Sequence, residues 1–190
     1  MPNWTSNHLT LEGTAEDLQQ IFDINFDFQK ILPCPFIHDE NYDEGWYDWC
    51  VKYWGTKWSC KEVELVYTAG DTTLTAMFET AWHTPYVLLT YLTKINPSLK
   101  ITNEWQDEGY ERVGITTYSN GLMDARAILP FDYTNQTLKQ FSETNPWFCY
   151  NDFNNFINDI DDDDEVDDED KESNIVLIQY QYTYEEILNE

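Results

Sequence analysis

Hydrophobic and polar residues follow two periods along the chain, and each period predicts one kind of secondary structure. Alternation over 8–13 predicts a short strand, and Thr14 then supplies the N-cap of a helix with apolar residues at i, i+3 and i+4. The stretch 26–45 contains prolines and ends in glycine, so we expect a loop there. Helical spacing returns over 46–54, and Gly55 is the residue that we expect to end this helix.

A hairpin and a second long helix are predicted next. Strands over 62–68 and 72–81 are expected to pair, because alternating residues flank a short turn that contains glycine. Thr84 is then expected to cap a helix that has Pro85 at its first position and stops before Pro97.

Strands dominate the following part of the chain. Two are predicted at 99–106 and 111–119, and Asn120-Gly121, a strong hairpin signal, leads into a third at 122–129. The order strand, helix, paired strands, helix and further strands is typical of a ferredoxin-like α+β domain, an antiparallel sheet packed by helices. We place this domain at 1–130.

The remaining residues, 131–190, are predicted to form a C-terminal extension packed on the same domain. Short helices are expected at 135–141 and 148–157. An acidic loop at 159–172 follows them, and a final strand is predicted at 174–182.

Charge changes this picture more than any other property of the composition. The 190 residues include 36 Asp and Glu against 10 Lys and Arg, a formal net charge of −26. The segment 159–172 holds 11 of the acids and one lysine, and the rest of the chain still has a net charge of −16. Such a field repels nucleic acid and anionic membranes, and it attracts basic partners.

Three features predict the cellular compartment: the number of cysteines, the first residues of the chain and the length of its apolar runs. Four cysteines do not make a disulfide framework in a chain of this size. The first residues lack the basic and apolar regions of a signal peptide, and no apolar run approaches the ~20 residues of a membrane span. We therefore expect a cytoplasmic protein with reduced thiols.

Aromatic-rich segments recur through the first two thirds of the chain. They are Pro2-Asn3-Trp4 with Asn7-His8-Leu9-Thr10, Trp46-Tyr47-Asp48-Trp49, Trp54-Gly55-Thr56-Lys57-Trp58 and Phe78-Glu79-Thr80-Ala81-Trp82-His83-Thr84-Pro85, with weaker support from 104–114. Together they resemble the YubB-type ferredoxin-like domain family of phage and plasmid proteins, over roughly residues 2–121. The resemblance implies a ferredoxin-like fold and a mobile-element setting, and the family is described without an established activity.

The chain departs from that family at several points. Thr5 stands where the family commonly has cysteine, and Thr84 stands where proline is frequent. Residues 122–190, which include the acidic loop, have no counterpart, so the loop inherits no role from the resemblance.

The tryptophans favour core packing over ligand stacking. Trp46, Trp49 and Tyr53 lie at helical spacing, and aromatic platforms for bases usually sit in a basic groove, which an acidic chain with few lysines does not offer. The alternative is a small enzyme or ligand-binding domain with its site at this Trp-rich part of the chain. That alternative site comprises Trp54, Lys57, Trp82 and His83.

Neither cysteine nor histidine spacing identifies a metal or catalytic centre. Cys34 and His38, with Cys60 or His83, lack the close pairs that are usual in zinc sites. No cysteine lies in a glycine-rich elbow or beside a cluster of cations, and there is no glycine-rich phosphate loop. We therefore predict no metal, no cofactor and no enzymatic activity.

The acidic run has two interpretations. In the first it is a solvated loop, and the protein is a structural or assembly factor. In the second it imitates nucleic acid. Duplex DNA carries one charge per ~1.7 Å of axis, and an extended chain presents a residue every ~3.3 Å. Eleven acids in 159–172 therefore approach the linear charge density of one DNA strand.

We favour mimicry, because a phage or plasmid gains from blocking host defence. The expected function is to bind and inhibit a basic nucleic-acid-handling host protein, such as a CRISPR, restriction or related nuclease. We expect no direct contact with nucleic acid or membrane. The residues expected at the partner interface are Asp159, Asp161, Asp162, Asp163, Asp164, Glu165, Asp167, Asp168, Glu169 and Asp170.

Overall fold

The structure, a computed structural model, describes residues 3–38, 41–108, 113–128 and 177–189. In chain order the elements are β1 (Trp4–Glu12), α1 (Ala15–Asp23), α2 (Phe28–Ile31), β2 (Ile37–His38), β3 (Asn41–Tyr42), α3 (Trp46–Trp54), β4 (Lys61–Val66), β5 (Thr73–Ala81), α4 (Tyr86–Ile95), β6 (Lys100–Asp107), β7 (Val113–Ser119), β8 (Leu122–Ile128), β9 (Leu177–Thr183) and α5 (Tyr184–Asn189).

Within the described residues, seven strands form one antiparallel sheet in the order β4-β5-β1-β6-β7-β8-β9. The central strand β1 pairs with β5 on one side and β6 on the other. Helices connect β1 to β4 and β5 to β6, so β1, β4, β5 and β6 have the strand order of a ferredoxin-like domain. The predicted α+β ferredoxin-like fold is confirmed, and β7, β8 and β9 extend its sheet beyond β6.

The helices cover one face of this sheet. Residues of one parity along each strand, such as Leu9, Leu74 and Ile101, join the helix residues Leu18 and Leu88 in a single apolar core. Apart from Ala81 at the end of β5, the described residues of the other parity are only partly buried or exposed. We call that second side of the sheet the open face.

The first strand is longer than its sequence pattern predicts. It begins at Trp4, not at residue 8, and Thr5 and Asn7 are buried on the same side as Leu9 and Leu11. Because these two inward positions are polar, they break the apolar alternation by which strands are recognised.

The helix starts agree with the sequence at α1 and differ at α4. Thr14 caps α1 as predicted, with its Oγ1 accepting a hydrogen bond from the Asp17 N–H at 3.2 Å. Thr84 does not cap α4, which begins at Tyr86. The Tyr86 N–H donates instead to the Thr84 carbonyl at 2.8 Å, a three-residue turn around Pro85.

The predicted loop at 26–45 contains short regular elements. Asp27 caps the four-residue helix α2 by accepting a hydrogen bond from the Gln29 N–H at 3.0 Å. The two-residue strands β2 and β3 pair with each other outside the main sheet. Both elements are too short for a periodic sequence pattern to mark them.

The C-terminal part returns to the sheet. The strand β9 pairs with β8, and Ile128 is the register partner of Leu177. The helix α5 was not predicted from periodicity, since it has six residues. Its signal was a capping box, in which the Thr183 N–H donates to Glu186 Oε2 at 2.7 Å and the Glu186 N–H donates to Thr183 Oγ1 at 3.2 Å.

Contacts with α4 hold α5 in place. The rings of Tyr91 and Tyr184 lie 5.6 Å apart, and Lys94 pairs with Glu185. The predicted helices at 135–141 and 148–157 and the acidic loop lie outside the described residues. None of the helices that the structure describes is both long enough and apolar enough to span a bilayer.

Candidate functional site at one end of the sheet

One row of register partners crosses all seven strands near one end of the sheet. The row runs from Lys61 and Glu79 through Ser6 and Gln106, and it ends at Val113, Ile128 and Leu177. We call this end of the sheet the site end. The sequence segments on which the family resemblance depends meet here, since Trp4 begins β1, Trp58 precedes β4 and Trp82 follows β5.

Aromatic rings and lysines interleave at the site end. We call this group the Trp–Lys cluster; its members are Trp4, Tyr47, Lys57, Trp58, Lys61 and Trp82. The Lys57 Nζ lies 4.6 Å from the ring centroid of Trp58, 5.2 Å from that of Trp82 and 5.9 Å from that of Tyr47. The Lys61 Nζ lies 4.4 Å from the Trp4 centroid, and the Trp4 and Trp58 centroids are 6.2 Å apart.

Ring faces, and not carboxylates, hold these two lysines. Within the described residues, no carboxylate oxygen lies within 4.0 Å of the ammonium of Lys57 or Lys61. A cation over an aromatic face gains about 0.5–1 kcal/mol at exposed sites and about 2 kcal/mol when desolvated. The cluster therefore has a cation-holding character that its sequence spacing alone did not show.

A strained turn directs Trp82 into the cluster. Trp82 has φ +70°, a region that costs bulky residues about 1–3 kcal/mol. Its N–H donates to the Asn3 carbonyl at 2.9 Å, and the His83 N–H donates to the Ala81 carbonyl at 2.9 Å. The Thr80 hydroxyl donates to the His83 carbonyl at 2.8 Å. These bonds fix the turn and hence the position of the indole.

A buried polar network lies on the helix side of β1 at the same end. The Asn7 Nδ2 donates to Thr80 Oγ1 at 2.8 Å and to the Thr5 carbonyl at 2.9 Å, and Asn103 Nδ2 donates to Asn7 Oδ1 at 3.0 Å. The Thr5 hydroxyl donates to Asp107 at 2.8 Å. All five residues are at least nine-tenths buried. Directional bonds of this kind rigidify the strands that carry the cluster.

An acidic cleft opens on the other side of β1. This cavity of about 330 Å³ is lined in part by His8, Glu62, Glu79 and Glu104. His8 Nδ1 lies 3.1 Å from Glu104 Oε2. Partial burial, then the neighbouring carboxylates of Glu62 and Glu108, raise the pKa of Glu79, while Lys61 opposes the shift. The site end thus combines negative charge with the Trp–Lys cluster.

The residues of the alternative ligand site are only partly brought together. Lys57 and Trp82 are in contact, and His83 is exposed directly after Trp82. Trp54 does not belong with them, because it is 1% exposed in the core and its Nε1–H donates to the Leu32 carbonyl at 2.9 Å.

The alternative ligand site predicted from sequence did not include four members of the cluster. They are Trp4, Tyr47, Trp58 and Lys61; the first three lie in the aromatic-rich segments of the sequence, and Lys61 follows Trp58 by three residues. The ten acidic residues predicted at the partner interface, Asp159 to Asp170, lie outside the described residues.

Two of the described thiols, Cys50 and Cys60, show no sign of activation. Burial raises the pKa of the Cys60 thiol to about 12 and also raises the pKa of Cys50. In the part of the chain that the structure describes, no three His, Cys, Asp or Glu side chains are grouped to hold a metal ion.

A comparison with protein families matches residues 53–145 to the family described as a ferredoxin-like domain in Api92-like protein. The match covers just under half of the chain and includes Lys57, Trp58, Lys61 and Trp82. The comparisons with curated proteins and with solved structures gave no significant match. The fold and the family match agree on a ferredoxin-like domain.

Proposed function

We propose that this protein is an acidic inhibitor, encoded by a phage or plasmid, that binds a basic nucleic-acid-handling host defence protein in the cytoplasm by imitating nucleic acid. The observation that carries the proposal is the amount of negative charge and its placement. The described residues alone contain 18 acidic and 7 basic residues, a net charge of −11, and the whole chain has −26.

The connection of the acidic segment supports this proposal. Ile128 and Leu177, between which residues 129–176 are inserted, belong to the same row as Glu79 and Lys61. The segment is therefore attached at the site end, where the acidic cleft also lies. A basic groove built for a phosphate backbone is complementary to such a concentration of charge.

Four of the seven described cations are engaged within the protein, which favours a basic protein over nucleic acid as the partner. Lys57 and Lys61 lie on aromatic rings, Lys94 pairs with Glu185, and Lys30 lies 4.0 Å from Asp27. Ammonium groups that are engaged in this way give phosphates little to bind.

The open face also differs from the sheet of an RNA-binding ferredoxin-like domain. Such sheets stack bases on exposed aromatic rings. Here one row across the open face consists of Thr75, Thr10, Thr102 and Thr117, which are register partners on four neighbouring strands. This row of small hydroxyl groups offers no stacking platform in the middle of the open face.

The proposal is tested by capturing host proteins on the immobilised full chain at rising salt. We expect a basic nuclease or defence subunit that elutes steeply with salt and is displaced by duplex DNA. Replacing Asp161, Asp162, Asp163 and Asp164 by Asn should reduce its binding.

A matched variant tests placement separately from net charge. Replacing Glu12, Glu16, Asp23 and Asp71 by their amides removes the same four charges from exposed positions at the last residue of β1, on α1 and before β5, none of them in the row that defines the site end. We expect this variant to bind the partner nearly as well as the unmodified protein. Equal losses in the two variants, or a partner insensitive to salt and DNA, would contradict mimicry.

A second candidate is a small ligand-binding domain with its site at the Trp–Lys cluster. The observation in its favour is the strained turn at Trp82, because backbone strain that is fixed by several hydrogen bonds is concentrated at functional sites. This candidate predicts that changes in the cluster, and not in the acidic segment, abolish function.

A further inference from the structure

We propose that Tyr47, Trp58 and Trp82 form a binding site for an organic ammonium group, and that Lys57 occupies this site in the free protein. We call these three rings the aromatic cage. The inference goes beyond the inhibitory role, and it does not depend on the acidic segment.

The geometry of the aromatic cage is that of a cation site. All three ring centroids lie within 5.9 Å of the Lys57 Nζ, inside the distance of about 6 Å at which ring faces attract cations. Tyr47 and Trp82 meet at 78°, with centroids 6.1 Å apart, so their rings enclose the ammonium from different directions. Tyr47 is 40% exposed, which leaves the aromatic cage accessible from solvent.

Among the described lysines, Lys57 alone lies among three rings. Lys61 lies over two, Trp4 at 4.4 Å and Trp58 at 5.9 Å, and it therefore borders the aromatic cage. Lys94 also lies over a ring, that of Tyr184 at 4.9 Å, but it pairs with Glu185. Lys52 approaches one ring at 5.8 Å. In a strongly acidic protein, Lys57 lies among three rings and has no described carboxylate within 4.0 Å. The rings themselves therefore select the cation.

The same geometry indicates the class of ligand. A quaternary ammonium, such as a choline headgroup or a trimethylated lysine, needs no hydrogen-bond acceptor and spreads its charge over methyl groups that fit ring faces. The hydrogen bonds around Trp82 hold its indole in place, so the aromatic cage exists before a ligand arrives.

Lys57 then acts as a tethered competitor. A group on a short tether competes as though present at roughly millimolar concentration or above. Replacing Lys57 by Ala should therefore empty the aromatic cage and tighten binding of an added quaternary ammonium about tenfold or more.

The test uses choline as the probe and records the indole N–H resonances of the full chain by NMR at constant ionic strength. In K57A, we expect saturable shifts of the Trp58 and Trp82 indole signals, with a Kd at least about tenfold lower than in the unmodified protein. K52A is the matched control, because it also removes one lysine beside a ring. It should behave like the unmodified protein.

Two further measurements keep the proposal falsifiable. The neutral isostere 3,3-dimethylbutanol should not produce the shifts in K57A, and equal binding of choline and this alcohol would overturn a cation site. The double variant K57A/W82G removes one ring while glycine accepts the positive φ, and it should lose choline binding with the fold retained by circular dichroism. Absence of choline binding to folded K57A would also overturn the proposal.

Discussion

The two halves of β1 bury different chemistry against the same layer of helices. Leu9 and Leu11 in the second half join the apolar core, and both are 0% exposed. Thr5 and Asn7 in the first half are buried equally well but lie in a hydrogen-bonded network. Apolar burial stabilises without regard to direction, whereas hydrogen bonds fix geometry. The polar half is also the half that supports the Trp–Lys cluster.

This difference suggests a division of tasks along a single strand. The apolar half contributes to stability through burial, at about 1.5–3 kcal/mol for each large side chain. The polar half positions the ends of β1, β5 and β6 relative to one another. Substitutions in the apolar half should therefore lower stability, and substitutions in the polar half should displace the Trp–Lys cluster.

The largest expected effect comes from Leu11→Ala. Leu11 is fully buried, so the change should reduce the free energy of unfolding by about 2–5 kcal/mol through lost burial and a cavity. Urea unfolding measures the loss, and the Trp82 indole resonance should stay in place. Val66→Ala, at a side chain that is 60% exposed, is the control and should change stability by less than about 0.5 kcal/mol. A displaced Trp82 resonance in folded Leu11→Ala would remove the distinction between the halves.

A smaller loss of stability is expected for Asn7→Ala, with a larger effect on the site. Removing Asn7 leaves the Asn103 Nδ2 without its acceptor and should cost about 1–3 kcal/mol in urea unfolding. The Trp82 indole resonance should shift, because Asn7 also bonds Thr80, which holds the turn.

A double-mutant cycle with Asn103→Ala checks whether these residues act as a unit. Residues in one hydrogen-bond network show coupling energies of about 0.5–3 kcal/mol. Additive losses would mean that the bond between the two amides contributes nothing to stability.

The smallest effect is expected at the acidic cleft, from Glu79→Gln. The pKa of Glu79 is raised in the folded protein, so folding favours its protonated form. That contribution to stability is present below the unfolded pKa and is lost as the pH rises through the folded pKa. Glu79→Gln should therefore raise the thermal midpoint at neutral pH and leave it unchanged below a pH of about 4. A lower midpoint at neutral pH would contradict the charge repulsion assigned to the cleft.

The comparison of the two halves also explains how far sequence could predict this molecule. The strands and helices with regular apolar periods, such as β5 and α4, lie close to their predicted ranges, and Asn120-Gly121 does join β7 to β8. The polar half of β1 was missed because buried Thr and Asn look like surface residues to a pattern based on hydrophobicity. Their bonds to Thr80 and Asn103 join residues more than 70 positions apart, which no local pattern reports.

The candidate site was also predicted only in part, because its contacts join residues that are distant in sequence. Lys57 and Trp82 were named from sequence, but their contact with Tyr47 depends on how α3 packs beside the end of β5. Trp54 was grouped with them because it also lies in one of the aromatic-rich segments, although its side chain is buried in the core. The orientation of rings around a cation depends on tertiary packing, so it cannot be inferred from composition.

The pairing of Ile128 with Leu177 has a consequence for how this domain can change over time. An insertion between two adjacent antiparallel strands replaces a turn, and each doubling of its length costs only about 0.6 kcal/mol in closure entropy. Between Ile128 and Leu177 the chain has 48 residues, and for a loop of that length this scaling adds only about 3 kcal/mol to the closure cost of a two-residue turn. A domain that tolerates long connections at this position can evolve connections of different length or charge between β8 and β9 while its sheet stays the same.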